Sequence, residues 1–163
     1  METSVHPLQA FADLYQFNNQ LLATVSAGFE DREWLHTAGE GGNTAHWILG
    51  HVAAARLYLA RRCGLTEEVE DWEAAFDIGV TPASPDTYPS IESLTEAFEK
   101  GGTLLARGLP EMSPQTLAEK LDEPLPDGSK DLAGMARFFY MHDTYHLGQI
   151  GLVRRQCGQA AFA

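Results

Sequence analysis

A chain of 163 residues, 44% of them hydrophobic, is long enough to bury one core of its own, and we expect one domain over residues 1–163. Acidic residues outnumber basic ones 23 to 11, and the net charge of −12 argues against a surface built to hold nucleic acid or an anionic membrane. No apolar run reaches the roughly 18 residues that span a bilayer, and the start, Met1 to Pro7, lacks the basic and apolar regions of a secretory signal. A cytoplasmic protein is expected. Its two cysteines, Cys63 and Cys157, are far apart, outside any CxxC, and read as reduced thiols at helix ends.

The first helix starts near Pro7 and carries the stripe Leu8, Phe11, Tyr15, Leu22, Val25 and Phe29, with Asn18 on the same face. Gly28 marks its end. The connector that follows holds Glu33 and His36, a lone Glu-x-x-His. Di-iron bundles use that motif twice with further inward glutamates, so a carboxylate di-iron site is not expected. Asn43 or Thr44 caps the second helix, which runs to Cys63 with Ile48, Val52, Ala55 and Leu59 along one stripe. His51 lies on that face. His46, five residues earlier, points about 140° away. Arg61, Arg62, Cys63 and Gly64 form a helix end, with cations in the last turn and glycine after it.

A long connection over 64–89 comes next. Pro82, Pro85 and Pro89 forbid a continuous helix there, although 71–76 reads as a helical turn or two. Such a loop could lie over the mouth of a site. Ser90 caps the third helix, whose stripe of Ile91, Leu94, Phe98, Leu105 and Leu109 is interrupted by Gly101 and Gly102, a place for a kink or a close approach. Ser113 and Pro114 open a short helix to about Leu121. The proline-broken stretch 122–130, with an Asp127-Gly128 turn, is compatible with a short hairpin. Asp131 starts the fourth long helix, which ends near Cys157. Four long amphipathic helices with almost no alternating runs give an all-α bundle.

The fourth helix carries the chemistry. Its stripe runs Leu132, Met135, Phe139, His142, His146, Ile150 (or Gln149) and Val153. Two positions that should be apolar are histidines four residues apart, about 40° from each other around the helix. With His51 they can form a three-imidazole set, the number that leaves a metal ion an open position for water or substrate. A core histidine satisfied by one hydrogen bond is the competing reading, and spacing alone leaves both open. Asp143 and Gln149 lie about one turn from a proposed ligand. Either is expected to orient a histidine or reach a metal-bound water, with a solvated helix-face carboxylate as the alternative for Asp143. Trp47, Tyr58, Tyr140 and Tyr145 are pocket candidates that equally fit core packing. No Ser-His-Asp set, phosphate loop or dinucleotide fingerprint is present.

Two stretches resemble the motifs of a known family. His142-Asp143-Thr144-Tyr145-His146-Leu147-Gly148-Gln149-Ile150, with Arg154, Arg155 and Gly158 beyond it, is similar to the C-terminal signature of the DinB-like (YfiT-like) superfamily. Gly42-Asn43-Thr44-Ala45-His46-Trp47-Ile48-Leu49-Gly50-His51-Val52 resembles its second-helix motif. The resemblance covers nearly the whole chain in the order and spacing of helices. It implies a DinB-like four-helix bundle, with a long loop between helices two and three, and a divalent metal held at the positions matching His51, His142 and His146. His46 falls in the motif but off the ligand position.

The resemblance further implies a metal-dependent thiol S-transferase, which conjugates a low-molecular-weight thiol to a small electrophile. A metal-dependent hydrolase is the nearest enzymatic rival, and a non-catalytic metal-binding or dimerising helical module the rival from another class. Arg56, Arg137 or Arg154 would bind the thiol's carboxylates. Imidazole ligands suit zinc, nickel, iron and copper alike; zinc or nickel is the expected ion, with iron or manganese as alternatives. The expected partner is a small-molecule substrate, with no nucleic acid and no membrane. A homodimer paired through helix faces is compatible with such a bundle.

Overall fold

A computed structural model describes residues 6–161, and the first helix-flanking residues, 1–5, lie outside the described ones. Four long helices dominate it: α1 (Gln9–Val25), α3 (Ala45–Arg62), α4 (Ile91–Gly108) and α6 (Leu132–Gln156). Two short ones, α2 (Asp31–Trp34) and α5 (Pro114–Leu117), sit in the connections. The starts follow the capping chemistry. The side chains of Thr44, Ser90, Ser113 and Asp131 accept hydrogen bonds from the backbone N–H of Trp47, Ser93, Thr116 and Gly134. Gly64 and Gly158, after the arginine pairs that close α3 and α6, adopt φ of 69° and 81°, where a side chain would be strained.

Each long helix packs on two others: α1 on α4 and α6, and α3 on the same two. The contacts also give directions. His46 meets Pro89, Arg56 meets Phe98 and Gly101, and Leu65 meets Gly108, so α3 and α4 run parallel. Tyr15 meets Ala136 and Asn18 meets Thr144, so α1 and α6 are parallel as well. His51 meets His142 while Tyr58 meets Phe139, so α3 and α6 are antiparallel. A parallel pair of consecutive helices needs a connection that travels back along the bundle. For the 18-residue α3 that distance is about 27 Å. The segment between Cys63 and Ser90 makes this return, with short 3₁₀ turns at Glu73–Phe76 and Pro85–Thr87.

The apolar core has two parts. One gathers Leu22, Ile48, Phe76, Phe98, Leu147 and Ile150, the other Leu8, Tyr15, Leu59, Leu105, Leu109 and Met135. Between them each long helix carries polar or glycine residues: Asn18 and Asn19, Arg56, Gly101 and Gly102, and Asp143. The glycines stand where a Cβ would overlap Arg56 and Asn19, so they make room for a buried cation rather than a kink.

Two expectations change. The short helix after Ser113 stops at Leu117, and Lys120 and Asp131 then pair as an isolated antiparallel bridge, with Leu121 N–H donating to the Lys130 carbonyl at 3.0 Å. The inner face of α6 is also rotated by one residue from the expected stripe. Asp143, Leu147 and Ile150 are fully buried, whereas Phe139, His142 and His146 are half-buried. Helix α6 packs between α1 and α3, so its innermost line faces the bundle axis and the two histidines lie on the flank toward α3.

Candidate metal centre

His51 leaves the middle of α3, and His142 and His146 leave the facing flank of α6. One nitrogen from each ring lies within 4.8 Å of the others. Ring centroids are 4.8 Å apart for His51–His142, 4.9 Å for His51–His146 and 4.5 Å for His142–His146, a nearly equilateral triangle.

Carbonyl oxygens fix two of the rings. His51 Nδ1 donates to the Phe76 backbone carbonyl at 2.7 Å, and His146 Nδ1 donates to Gln149 Oε1 at 2.7 Å. Each bond places the proton on Nδ1 and leaves Nε2 as a lone pair. Trp47 stacks on His51 at 4.9 Å and 12°, which fixes the plane of that ring. His51 Nε2 lies 2.9 Å from His142 Nε2. His142 Nδ1 is buried with no partner. If His142 carries its proton on Nε2, its buried Nδ1 lone pair is unmatched. If it carries the proton on Nδ1, two lone pairs face each other, and a cation between them turns repulsion into bonding. The donor set therefore fits a divalent ion.

His142 and His146 are also held neutral. Burial, reinforced by His146 and His51, pushes His142 down to about 3, and burial followed by His51 pushes His146 down to about 4. Imidazoles bind metal only when neutral, so this environment favours ligation over protonation.

The 63–90 connection supplies part of the site. Phe76 is fully buried, and its ring lies where a Cβ on Gly50 would be. Gly50 thus lets the connection press against α3 one residue from His51 and bring the Phe76 carbonyl to its Nδ1. A backbone acceptor leaves no trace in sequence. A glycine on the buried face in mid-helix, where it costs about 1 kcal/mol, is the one signal that could have pointed to it.

The remaining candidates fall elsewhere. Asp143 neither reaches the histidines nor meets solvent: it is fully buried and takes a hydrogen bond from Arg56 Nε at 2.5 Å. One residue along a helix is 100° of rotation, which turns it away from the ring of its neighbour. Arg56 is equally sealed, with Nη1 donating to Asn19 Oδ1 at 2.5 Å and to the Phe98 carbonyl at 2.9 Å, so it cannot hold a thiol's carboxylates. Arg154 is tied to the carbonyls of Ala27 and Ala160, and Arg137 is exposed away from the cleft. His46 bonds the Pro89 carbonyl at 2.9 Å and stays outside the triangle. Glu33 closes the capping box of α2 and pairs with Arg32, so the Glu-x-x-His is local structure. Tyr140 packs on Phe11 and Tyr15, Tyr145 is exposed beside His146, and Tyr58 lines the cleft next to His51.

The sequence pattern of the DinB superfamily matches residues 14–150, a span that holds α3 and α4 whole, most of α1 and α6, and the three histidines. The chain belongs to the DinB superfamily. Among solved structures it is similar to YfiT from Bacillus subtilis, described as a probable metal-dependent hydrolase with an unusual four-helix bundle topology. That likeness has a TM-score of 0.70 and covers 98% of this chain and 93% of YfiT at 14% identity, which establishes the DinB fold. No curated protein sequence matches the chain significantly. Among the described residues no helix is long and apolar enough to cross a membrane.

Proposed function

We propose that this DinB protein binds one divalent cation through His51, His142 and His146 and uses it to hydrolyse a small molecule. The carrying observation is the pair of tautomer locks: the Phe76 carbonyl and Gln149 Oε1 turn two Nε2 lone pairs toward His142 at the edge of a cleft. When bound, an ion with three imidazole ligands and an open position supplies Lewis acidity, which polarises a substrate carbonyl and makes water a nucleophile near neutral pH.

The chain's own residues do the rest. Trp47 and the Phe76 carbonyl orient His51, and Gln149 orients His146. Phe138 and Phe139 wall the cleft beside His142 and give it an apolar surface. The description of YfiT favours hydrolysis. Thiol S-transfer is the second reading, because an ion held by the same imidazoles would bind a thiolate, and zinc or nickel would serve either reaction.

The experiment compares the protein loaded with zinc, nickel or manganese on a panel of chromogenic esters and amides, with and without added thiols. The hydrolase reading expects turnover that needs the metal, stops with chelator and is independent of thiol. Turnover that requires a thiol and yields a thioether moves the assignment to transfer. Stoichiometric metal with no turnover in any arm leaves a metal-binding helical module.

A further inference from the structure

We infer that the cleft beside the histidines selects a neutral, apolar group, the acyl or aryl part of an uncharged substrate, and rejects anions. The inference rests on the metal-centre reading above and names the substrate class for that site.

The cleft encloses about 540 Å³, room for a small organic group. His51 and His142 form one side. Apolar residues, Ala54, Ala55, Tyr58, Phe138 and Phe139 among them, make most of the remaining wall, so its surface is largely apolar. Charge decides the rest. Among the described residues Arg61 is the one cation lining the cleft, and its guanidinium is already used. Its Nη1 donates to Glu73 Oε1 at 2.9 Å and to the Glu68 carbonyl at 2.9 Å, and its Nη2 donates to Glu73 Oε2 at 2.5 Å. A bidentate pair of this kind leaves no fork for a substrate carboxylate. Asp77 lines the same cleft and adds a negative charge that no cation there offsets. Beyond reach of the ion's open position, an anionic group would lose its hydration against aromatic rings and a carboxylate with nothing to replace it. An apolar one gains by leaving water. Thiols that carry free carboxylates are poor occupants on the same grounds.

Two dyes of one skeleton test this in the metal-free protein. N-phenylnaphthylamine is neutral, anilinonaphthalene sulfonate is its sulfonated counterpart, and both brighten on entering an apolar site. The neutral dye is expected to bind the wild-type chain at least about tenfold more tightly than the sulfonate. Ala54→Leu and Ala55→Leu, helix-compatible changes that fill the wall, are expected to weaken the neutral dye about tenfold with the helical content unchanged. Glu73→Gln keeps the shape of the pair but frees the Arg61 charge, and is expected to tighten the sulfonate selectively.

Equal or tighter binding of the sulfonate by the wild-type chain overturns the inference, as does unchanged affinity for the neutral dye in both filled variants. Zinc titration of the same samples separates the two failures. Dye selectivity without zinc binding removes the metal reading and the substrate assignment built on it. Zinc binding without dye selectivity removes the substrate class alone.

Discussion

Helices α3 and α6 meet at two polar sites that are one residue apart on α6 and opposite in character. At Arg56 and Asp143 opposite charges are sealed from solvent and paired: guanidinium to carboxylate, to Asn19 and to the Phe98 carbonyl, with the cation also 3.4 Å over the Phe98 ring, while Arg56 Nη2 and Asp143 Oδ1 have no hydrogen-bond partner. At His51, His142 and His146 the outer nitrogens of two rings are matched, while the inner ones converge on each other beside an open cleft. Opposite charges that pair inside a bundle hold it together. Acceptor nitrogens from three rings that converge on one another beside a cleft are arranged for something the chain itself does not supply.

The largest effect that would break this contrast lies at the sealed site. Arg56→Ala or Asp143→Ala strands a buried charge and should cost about 3–5 kcal/mol in urea unfolding, much of the stability of a domain this size. Arg56→Met combined with Asp143→Leu should recover most of that loss, since an apolar pair of similar volume often replaces a buried ion pair without penalty. A single change costing under about 1 kcal/mol would place the pair at the level of a surface salt bridge.

Next in size is Gly50→Ala. The added methyl overlaps the Phe76 ring, so the connection must lift and withdraw the carbonyl that holds His51. Overpacking of this kind costs about 1–3 kcal/mol, and here metal affinity should fall with it. Unchanged affinity would show that the Phe76 carbonyl does not orient the ring.

Gln149→Ala is gentler still. It leaves three imidazoles but frees His146 to rotate and change tautomer. Metal affinity should drop tenfold to a hundredfold by calorimetric titration, with little change in metal-free stability.

The smallest effect concerns pH. Burial depresses His142 to about 3 and His146 to about 4 in the folded chain, against about 6.5 when unfolded. Below 6.5 the unfolded chain takes up protons that the fold refuses. Stability contributed by these two neutral rings is therefore present above pH 6.5 and is lost as pH falls toward 4 and 3. Metal-free His142→Ala should show a flatter fall in urea midpoint between pH 6.5 and 4 than the wild type. Parallel curves would mean the ring is protonated as easily in the fold as outside it.

The long helices and their starts were legible because capping and 3.6-residue periodicity are local. Thr44, Ser90 and Asp131 cap where a sequence rule puts them. The three histidines stood out because their spacing on two helices is unusual for a core, but spacing left a core reading open and only the family resemblance pointed to a ligand set. What escaped depended on rotation and on nonlocal partners. A periodic stripe locates a helix face only to within a residue or so, and one residue is 100°. That small uncertainty exchanged Asp143 for His142 as the innermost group of α6. Arg56 looked like a substrate-binding cation because nothing local shows that Asp143, Asn19 and the Phe98 carbonyl converge on it from three other helices. The length of the 64–89 connection was visible, but its cause, the parallel packing of α3 and α4, was not.

The central claim is that His51, His142 and His146 together hold one divalent ion while His46 does not. Zinc titration by calorimetry on untagged wild-type protein, His51→Ala, His142→Ala, His146→Ala and His46→Ala tests it most directly. The account predicts one zinc per wild-type and His46→Ala chain, and loss of stoichiometric binding in each of the other three. Full occupancy in His51→Ala, or loss of binding in His46→Ala with His51→Ala unaffected, would contradict it.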